Sequence, residues 1–159
     1  MAASKADLDA FDIRLLELLQ ADARRPVPEL AETIGLSAPA CYRRIRRLRD
    51  SGAIEGEVAL VRPTTFGWGL SMIVLVVLER EGSRTVADLL GKFGRHPQVV
   101  ECSQVTGDYD FAVRIVARDM EDYDDVAQAL FSNDDRVRSI KTLVVIRDKW
   151  PFRRPSGPA

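Results

Sequence analysis

The 159-residue chain has few of the residue types on which metal centres and disulfide scaffolds depend. It contains two cysteines and one histidine, which lack the spacing of a zinc site. Cys41 and Cys102 fall in separate predicted domains, so we expect no disulfide between them, as suits a reducing compartment. His96 precedes Pro97 at the predicted end of a helix, where a structural role is far more common than a catalytic one. Without a Ser/His/Asp set or a phosphate-binding glycine loop, the sequence predicts no enzyme, no cofactor and no metal site.

Long hydrophobic segments are also missing. The densest apolar run, residues 69–79, is shorter than the about 20 residues that a membrane-spanning helix needs. The N-terminus lacks the charged start and apolar middle of a signal peptide. We therefore expect a cytoplasmic protein without a membrane partner.

The chain has no strong excess of one charge. Its 23 Lys and Arg residues nearly balance 24 Asp and Glu residues, for a net charge of -1. This balance argues against a protein that coats nucleic acid by charge alone. The positive charge is local instead, because five of the seven residues 43–49 are arginine. A localised basic segment suits recognition of a site on DNA.

The basic segment lies in a predicted helix with clear start and stop signals. Ser37 can cap the helix by accepting a hydrogen bond from a free backbone N–H group of the first turn. Pro39 is tolerated because it lies in that first turn. Gly52 can take the left-handed conformation that ends a helix.

The two sides of this helix separate core residues from contact residues. At about 100° per residue, Cys41, Ile45 and Leu48 share one side, which we expect to pack inward. The other side has small residues that let the helix approach base edges, and arginines that can pair with phosphates or guanine. A solvated charged face is the alternative interpretation. We expect Arg44, at the flank, to hold the helix to its domain. The predicted DNA contacts are Ser37, Ala38, Ala40, Tyr42, Arg43, Arg46 and Arg47.

Two further helices are predicted before the basic helix. Residues 9–20 carry an apolar stripe at helical spacing that includes Phe11 and Ile13, and Asp9 and Asp12 are placed to cap its start.

Residues 28–34 predict a short second helix that Gly35 ends. The order helix, short helix, turn, basic helix is typical of a helix-turn-helix domain. Residues 54–61 alternate enough to predict a strand that acts as a wing or a linker.

This part of the chain resembles the DNA-binding half of the Lrp/AsnC family, the feast/famine regulators of bacteria and archaea. The resemblance rests on LDAFD near the N-terminus, GLS before the basic helix, RIRRL along it and GAI after it. One departure is Pro26, where many members have a Ser or Thr that could cap the second helix. The matching residues are Leu8, Asp9, Asp12, Gly35, Leu36, Ser37, Arg44, Ile45, Arg47, Leu48, Gly52 and Ile54.

The second half of the chain predicts a ferredoxin-like βαββαβ arrangement, so the fold class is α+β. The helices of such a fold cover one face of the sheet, and an apolar face left open usually indicates dimerisation. The predicted strands are residues 68 or 69 to 79, 99–106, 109–117 and 137–146, and the predicted helices are residues 85–93 and 119–131.

In the resembled family this half is the effector and oligomerisation module, with a Gly-Asp-x-Asp corner between the second and third strands. Glycine exposes N–H groups that can bind a carboxylate, and aspartates can bind an ammonium group. By composition alone, an ordinary hairpin turn is favoured. The resemblance implies a small-molecule effector, an amino acid or similar metabolite. The residues expected to bind it are Thr106, Gly107, Asp108, Tyr109 and Asp110, with Cys102, Gln104 and Thr142 on strands that could line the same pocket.

The sequence thus predicts a sequence-specific transcription regulator modulated by an amino acid. Its expected partners are double-stranded DNA and itself, as a dimer that assembles into octamers. An effector-independent architectural DNA-binding protein is the alternative. An enzyme similar to siroheme decarboxylases, which resemble this family in fold, is disfavoured because acidic residues occupy the corner. The predicted domains are residues 1–53 (helix-turn-helix), 54–68 (linker strand), 69–150 (ferredoxin-like) and 151–159 (flexible tail).

Overall fold

The N-terminal unit contains three helices around a small core. The structure, a computed structural model, describes residues 8–79 and 82–147. The helices are α1 (Ala10–Ala21), α2 (Val27–Ile34) and α3 (Ala38–Asp50). Their facing sides bury Leu15, Leu30, Ala31, Cys41, Ile45 and Leu48. The three α3 residues among these are the ones that the sequence placed on the inner side, so the predicted orientation of that helix is confirmed.

Local sequence sets the ends of these helices. Asp9 and Asp12 form a capping box at the start of α1, in which each carboxylate accepts the backbone N–H of the other residue, at 2.9 and 3.1 Å. Gly35 ends α2 in the left-handed conformation, with φ of 75°. Ser37 caps α3 by accepting the N–H of Ala40 at 3.4 Å. The predicted caps are therefore all in place.

The apolar stripe of α1 is narrower than the sequence predicted. Phe11 and Ile13 are 43% and 44% exposed, whereas Leu15 is fully buried. The guanidinium of Arg44 lies over the Phe11 ring, 5.5 Å from its centre, so the exposed ring supports a cation instead of entering the core.

The predicted strand at residues 54–61 is wrong. The segment has no regular secondary structure, and Ile54 uses its N–H to bond the carbonyl of Leu48 at the end of α3. A strand needs a neighbour to hydrogen-bond, and the four-stranded sheet of the described residues is built from other segments. A short 3-10 turn, Pro63–Phe66, follows.

The C-terminal unit is a four-stranded antiparallel sheet with two helices on one face. Its strand order is β2-β3-β1-β4, so the first and third strands are central. This is the predicted βαββαβ order. The elements are β1 (Leu70–Leu78), α4 (Ser83–Arg95), β2 (Val99–Gln104), β3 (Phe111–Ala117), α5 (Met120–Ala127) and β4 (Val137–Val144).

The core of this unit lies between the sheet and the helices. Alternate residues of β1 are buried towards the helices. Phe93 of α4 contacts the rings of Phe111 and Phe131, with ring centres 5.6 and 5.5 Å apart. The opposite face of the sheet carries Ile73 and Leu75, which are only half-buried in the single chain.

The predicted end of α5 needs correction. The regular helix ends at Ala127 and continues as a π-helical turn, Gln128–Ser132, instead of running to Phe131. Met120 is 56% exposed because it occupies the first helical position, directly after the cap residue Asp119. Periodicity cannot tell a π turn from an α turn within five residues.

The described chain divides into two units, residues 8–60 and 61–147. No helix in the described ranges is long and apolar enough to cross a membrane. The predicted flexible tail, residues 151–159, lies outside the residues that the structure describes.

Candidate DNA-binding helix and effector cleft

The outer side of α3 presents most of the residues predicted to contact DNA. Ser37, Tyr42 and Arg43 are exposed, whereas Ala38 and Ala40 are half-buried at the start of the helix. The side chains of Arg46 and Arg47 are 85% and 53% exposed. The buried side of the helix packs on α1 and α2, so the exposed side is held in a defined direction.

Arg44 holds α3 to α1, as the sequence predicted. Its Nη1 donates to Asp9 Oδ2 at 2.7 Å and to Asp12 Oδ1 at 2.9 Å. The two carboxylates raise the pKa of the Arg44 guanidinium. The backbone N–H of Asp12, together with Arg44, holds the pKa of Asp9 below its ordinary value.

Arg47 has a partner that the sequence analysis missed. Its Nη2 donates to Asp12 Oδ2, although 35 residues separate Arg47 from Asp12 in the sequence. The available signal was a matched spacing: Asp9 and Asp12 are three residues apart on α1, and Arg44 and Arg47 are three apart on α3. Both pairs therefore lie on one side of their helices and can meet.

Carboxylates face most of the arginines of α3. Arg46 lies 3.8 Å from Asp50, and Arg49 lies 2.6 Å from Glu57. Arg43 forms no ion pair with any of the described residues. The charge that this helix offers to a partner is therefore smaller than its five arginines indicate.

A cleft in the C-terminal unit lies where the start of α4 meets the β2–β3 corner. Its volume is about 690 Å³, which is within the range of small-molecule sites. Its walls are Gly82, Ser83, Val86, Ala87, Leu90, Gln104, Val105, Thr106, Gly107, Tyr109 and Asp110. Five of the eight residues expected to bind an effector are therefore brought together: Gln104, Thr106, Gly107, Tyr109 and Asp110.

The corner is held in shape by Asp110. Its Oδ2 accepts the N–H of Leu78 at 2.7 Å, and its own N–H donates to the carbonyl of Val76 at 2.8 Å. Gly107 has φ of 124°, which favours glycine at this turn. One carboxylate oxygen of Asp110 is therefore already used to anchor the corner to β1.

The other three predicted effector residues lie away from the cleft walls. Asp108 is exposed at the tip of the corner. Cys102 packs against the core, and burial raises the pKa of its thiol. Thr142 lies on β4, at the opposite edge of the sheet from β2, and its hydroxyl bonds to the Tyr123 hydroxyl.

Carboxylates elsewhere in this unit tie its elements together. Asp122 accepts hydrogen bonds from Arg118 Nε at 3.0 Å, from the Arg118 backbone N–H at 2.9 Å and from Gln98 Nε2 at 2.8 Å. The hydrogen bonds from Arg118, and to a smaller extent the one from Gln98, lower the pKa of Asp122. Asp134 binds Arg136 Nε at 2.7 Å and Lys92 Nζ at 2.9 Å, which also lowers its pKa. No group of three metal-ligating side chains occurs within the described residues.

Comparison with known proteins identifies both units. Residues 8–49 match the AsnC-type helix-turn-helix domain, and residues 71–154 match the Lrp/AsnC ligand binding domain. Together these matches cover well over half of the chain.

Relatives are similar along nearly their whole length. An uncharacterised HTH-type transcriptional regulator from Sinorhizobium fredii is 38% identical over 150 residues, 94% of this chain and 89% of that protein. The leucine-responsive regulatory protein of Rhizobium meliloti is 32% identical, over 90% of this chain and 92% of its own. A transcriptional regulator from Neisseria meningitidis, solved as a complex with L-methionine, has a TM-score of 0.81 at 26% identity and covers 95% of this chain and 96% of its own. The protein therefore belongs to the Lrp/AsnC family of helix-turn-helix transcription regulators.

Proposed function

We propose that α3 binds operator DNA in the major groove and that an amino acid or similar small metabolite bound at the cleft alters this binding. The observation that carries the first part is the two-sided character of α3. Its inner side is locked into a core with α1 and α2, while its outer side exposes Arg43 and Arg46 next to small residues at its start. Helix-turn-helix proteins place such a helix end against base edges and its basic residues against phosphates.

The proposed DNA contacts are those that the sequence indicated. The test is fluorescence-anisotropy binding to a duplex that the wild-type protein selects from a random library, against a random-sequence duplex. The expected result is a clear preference for the selected duplex, with the affinity for both duplexes reduced by Arg43→Ala. Equal affinity for both duplexes would instead favour an architectural DNA-binding role.

The effector proposal rests on the cleft and on two relatives. One relative is named leucine-responsive, and another was solved with L-methionine. Tyr109 and Thr106 supply polar groups at the cleft, and Val86 and Leu90 supply apolar surface, the combination that small-molecule sites use. The natural ligand class for such a site in this family context is a free amino acid.

A substitution that fills the cleft tests this proposal. Ala87 is exposed on the cleft wall, so Ala87→Phe adds bulk without removing a core side chain. The common amino acids are added one at a time. The one that binds at the cleft is expected to shift the melting temperature or the DNA affinity of the wild type and to have no effect on Ala87→Phe. A response that persists in Ala87→Phe would place the effector elsewhere.

We also propose that the protein acts as a dimer, with octamers as the larger assembly. The half-buried apolar residues Ile73 and Leu75 on the open sheet face support pairing of two copies. Two protomers would present two α3 helices to two half-sites about one helical turn or a multiple apart. An effector would act by favouring one assembly state over another. The proposed role is regulatory, not enzymatic, and the proposed location is the cytoplasm.

A further inference from the structure

One carboxylate at the interface of α1 and α3, that of Asp12, accepts hydrogen bonds from two arginines of α3. Asp12 has no exposed surface. Its oxygens accept hydrogen bonds from the backbone N–H of Asp9 at 3.1 Å, from Arg44 Nη1 at 2.9 Å and from Arg47 Nη2. A buried carboxylate with this many donors holds each donor in a fixed direction.

Arg47 differs from Arg44 in its exposure and in the number of carboxylates that it binds. The Arg44 side chain is 23% exposed and binds both Asp9 and Asp12, so it serves the interface between the helices. The Arg47 side chain is 53% exposed and donates a hydrogen bond from its Nη2 to Asp12. Arg47 lies four residues, about one helical turn, after Arg43 on α3.

The four charges of this cluster cancel. Asp9 and Asp12 supply two negative charges, and Arg44 and Arg47 supply two positive ones. A guanidinium whose charge is balanced by a fixed carboxylate attracts few additional phosphates and displaces few counterions from DNA. It still donates directional hydrogen bonds.

We propose that Asp12 is a positioning residue for DNA recognition: it fixes the orientation of the Arg47 guanidinium and balances its charge, so that Arg47 contributes to sequence selection and little to non-specific attraction. This rests on the proposed placement of α3 against DNA. Arg43, which has no carboxylate partner among the described residues, carries the non-specific contact instead.

The salt dependence of DNA binding separates these two kinds of contact. The logarithm of affinity falls with the logarithm of salt concentration with a slope of about 0.9 for each phosphate that a protein cation neutralises. Matched variants Arg47→Gln and Arg43→Gln, four residues apart on one helix, are compared in the full-length protein. Each is titrated with a random-sequence duplex and with a duplex selected by the wild type from a random library.

The expected outcome is different for the two variants. Arg43→Gln lowers the slope on both duplexes by about 0.9 for each protomer in contact. Arg47→Gln leaves the slope on both duplexes unchanged and lowers affinity for the selected duplex alone, by about 10-fold. Equal slope losses in the two variants, or no loss of selected-site affinity in Arg47→Gln, would overturn the role of Asp12. Unchanged slopes and affinities in both variants would overturn the placement of α3 itself.

Asp12→Asn provides an independent check. The substitution removes the balancing charge, so it is expected to raise the slope on the random duplex by about 0.9 for each protomer and to reduce the preference for the selected duplex. Adding Arg47→Gln to Asp12→Asn should cancel the increase in slope. A folded Asp12→Asn protein with the wild-type slope contradicts the proposal, and if this variant does not fold, the comparison of Arg47→Gln with Arg43→Gln decides alone.

Discussion

At the residue scale, the same side-chain type has different tasks according to its neighbours. Arg43 is exposed without an ion pair among the described residues, Arg46 is exposed with a carboxylate 3.8 Å away, and Arg44 is held by two carboxylates. The run of arginines in the sequence predicted a basic surface. The three-dimensional arrangement turns part of that run into an internal attachment between helices.

Removing Arg44 tests this attachment. In Arg44→Ala, Asp12 loses one of its donors while remaining buried, so we expect a loss of about 1–3 kcal/mol in the free energy of unfolding. Urea denaturation followed by circular dichroism measures this change. Arg46→Ala is the control, because an exposed 3.8 Å ion pair contributes at most about 0.5 kcal/mol. Equal midpoints for the two variants would contradict the structural role of Arg44.

At the element scale, helix ends follow the local sequence closely. The capping box of α1, the glycine that ends α2 and the serine that starts α3 all act as predicted. Capping depends on residues within four positions of each other, so a linear sequence contains the necessary information. The missing strand at residues 54–61 and the π turn after Ala127 had no such local signal.

Gly35 provides a test of a helix end. Its φ of 75° is in the left-handed region, and no atom lies within 4 Å of a Cβ added there. Gly35→Ala should therefore destabilise the protein by about 1 kcal/mol through backbone strain alone. Gly56→Ala is the matched control, because Gly56 lies in equally open space without a positive φ. Thermal unfolding of both variants measures the difference. A Gly35→Ala protein as stable as Gly56→Ala would contradict the expected backbone strain.

The link between α5 and β3 predicts a pH dependence. The donors from Arg118 and Gln98 hold the folded-state pKa of Asp122 below its ordinary value. The stability from this group is therefore present above about pH 4, the ordinary range of aspartate, and is lost as the pH falls through the folded-state pKa.

Asp122→Asn isolates this contribution from those of the other carboxylates, which both proteins share. The variant should be less stable than the wild type at pH 6, and the difference should narrow as the pH is lowered to 3. Urea midpoints measured across this range test the expectation. A constant difference would mean that the charge of Asp122 is not involved.

At the scale of the whole molecule, the open sheet face is the feature that a single chain leaves incomplete. Ile73 and Leu75 alternate with residues that are buried under the helices. One face of β1 is therefore covered within the unit, whereas the other face is only half-buried. The proposed covering is a second copy of the same face, because two-fold pairing is the commonest way in which identical chains associate.

A charge placed on this face tests the pairing. Leu75→Glu should reduce the mass observed by analytical ultracentrifugation from that of a dimer or larger assembly to that of one chain, because an unpaired buried carboxylate is strongly disfavoured. Gln128→Glu adds the same charge at an exposed position and should leave the assembly intact. If Leu75→Glu retains its assembly, the pairing surface lies elsewhere.

From the sequence alone, the helices of the N-terminal unit, the βαββαβ order of the C-terminal unit, the inner and outer sides of α3 and the family could all be predicted. This was possible because helix caps and apolar periodicity act within a few residues. The folded structure was needed to show that Arg47 bonds to Asp12, that Asp110 anchors the corner to β1, and that Thr142 lies across the sheet from the cleft. These contacts join residues about 30 or more positions apart, and the chain must fold before their geometry exists.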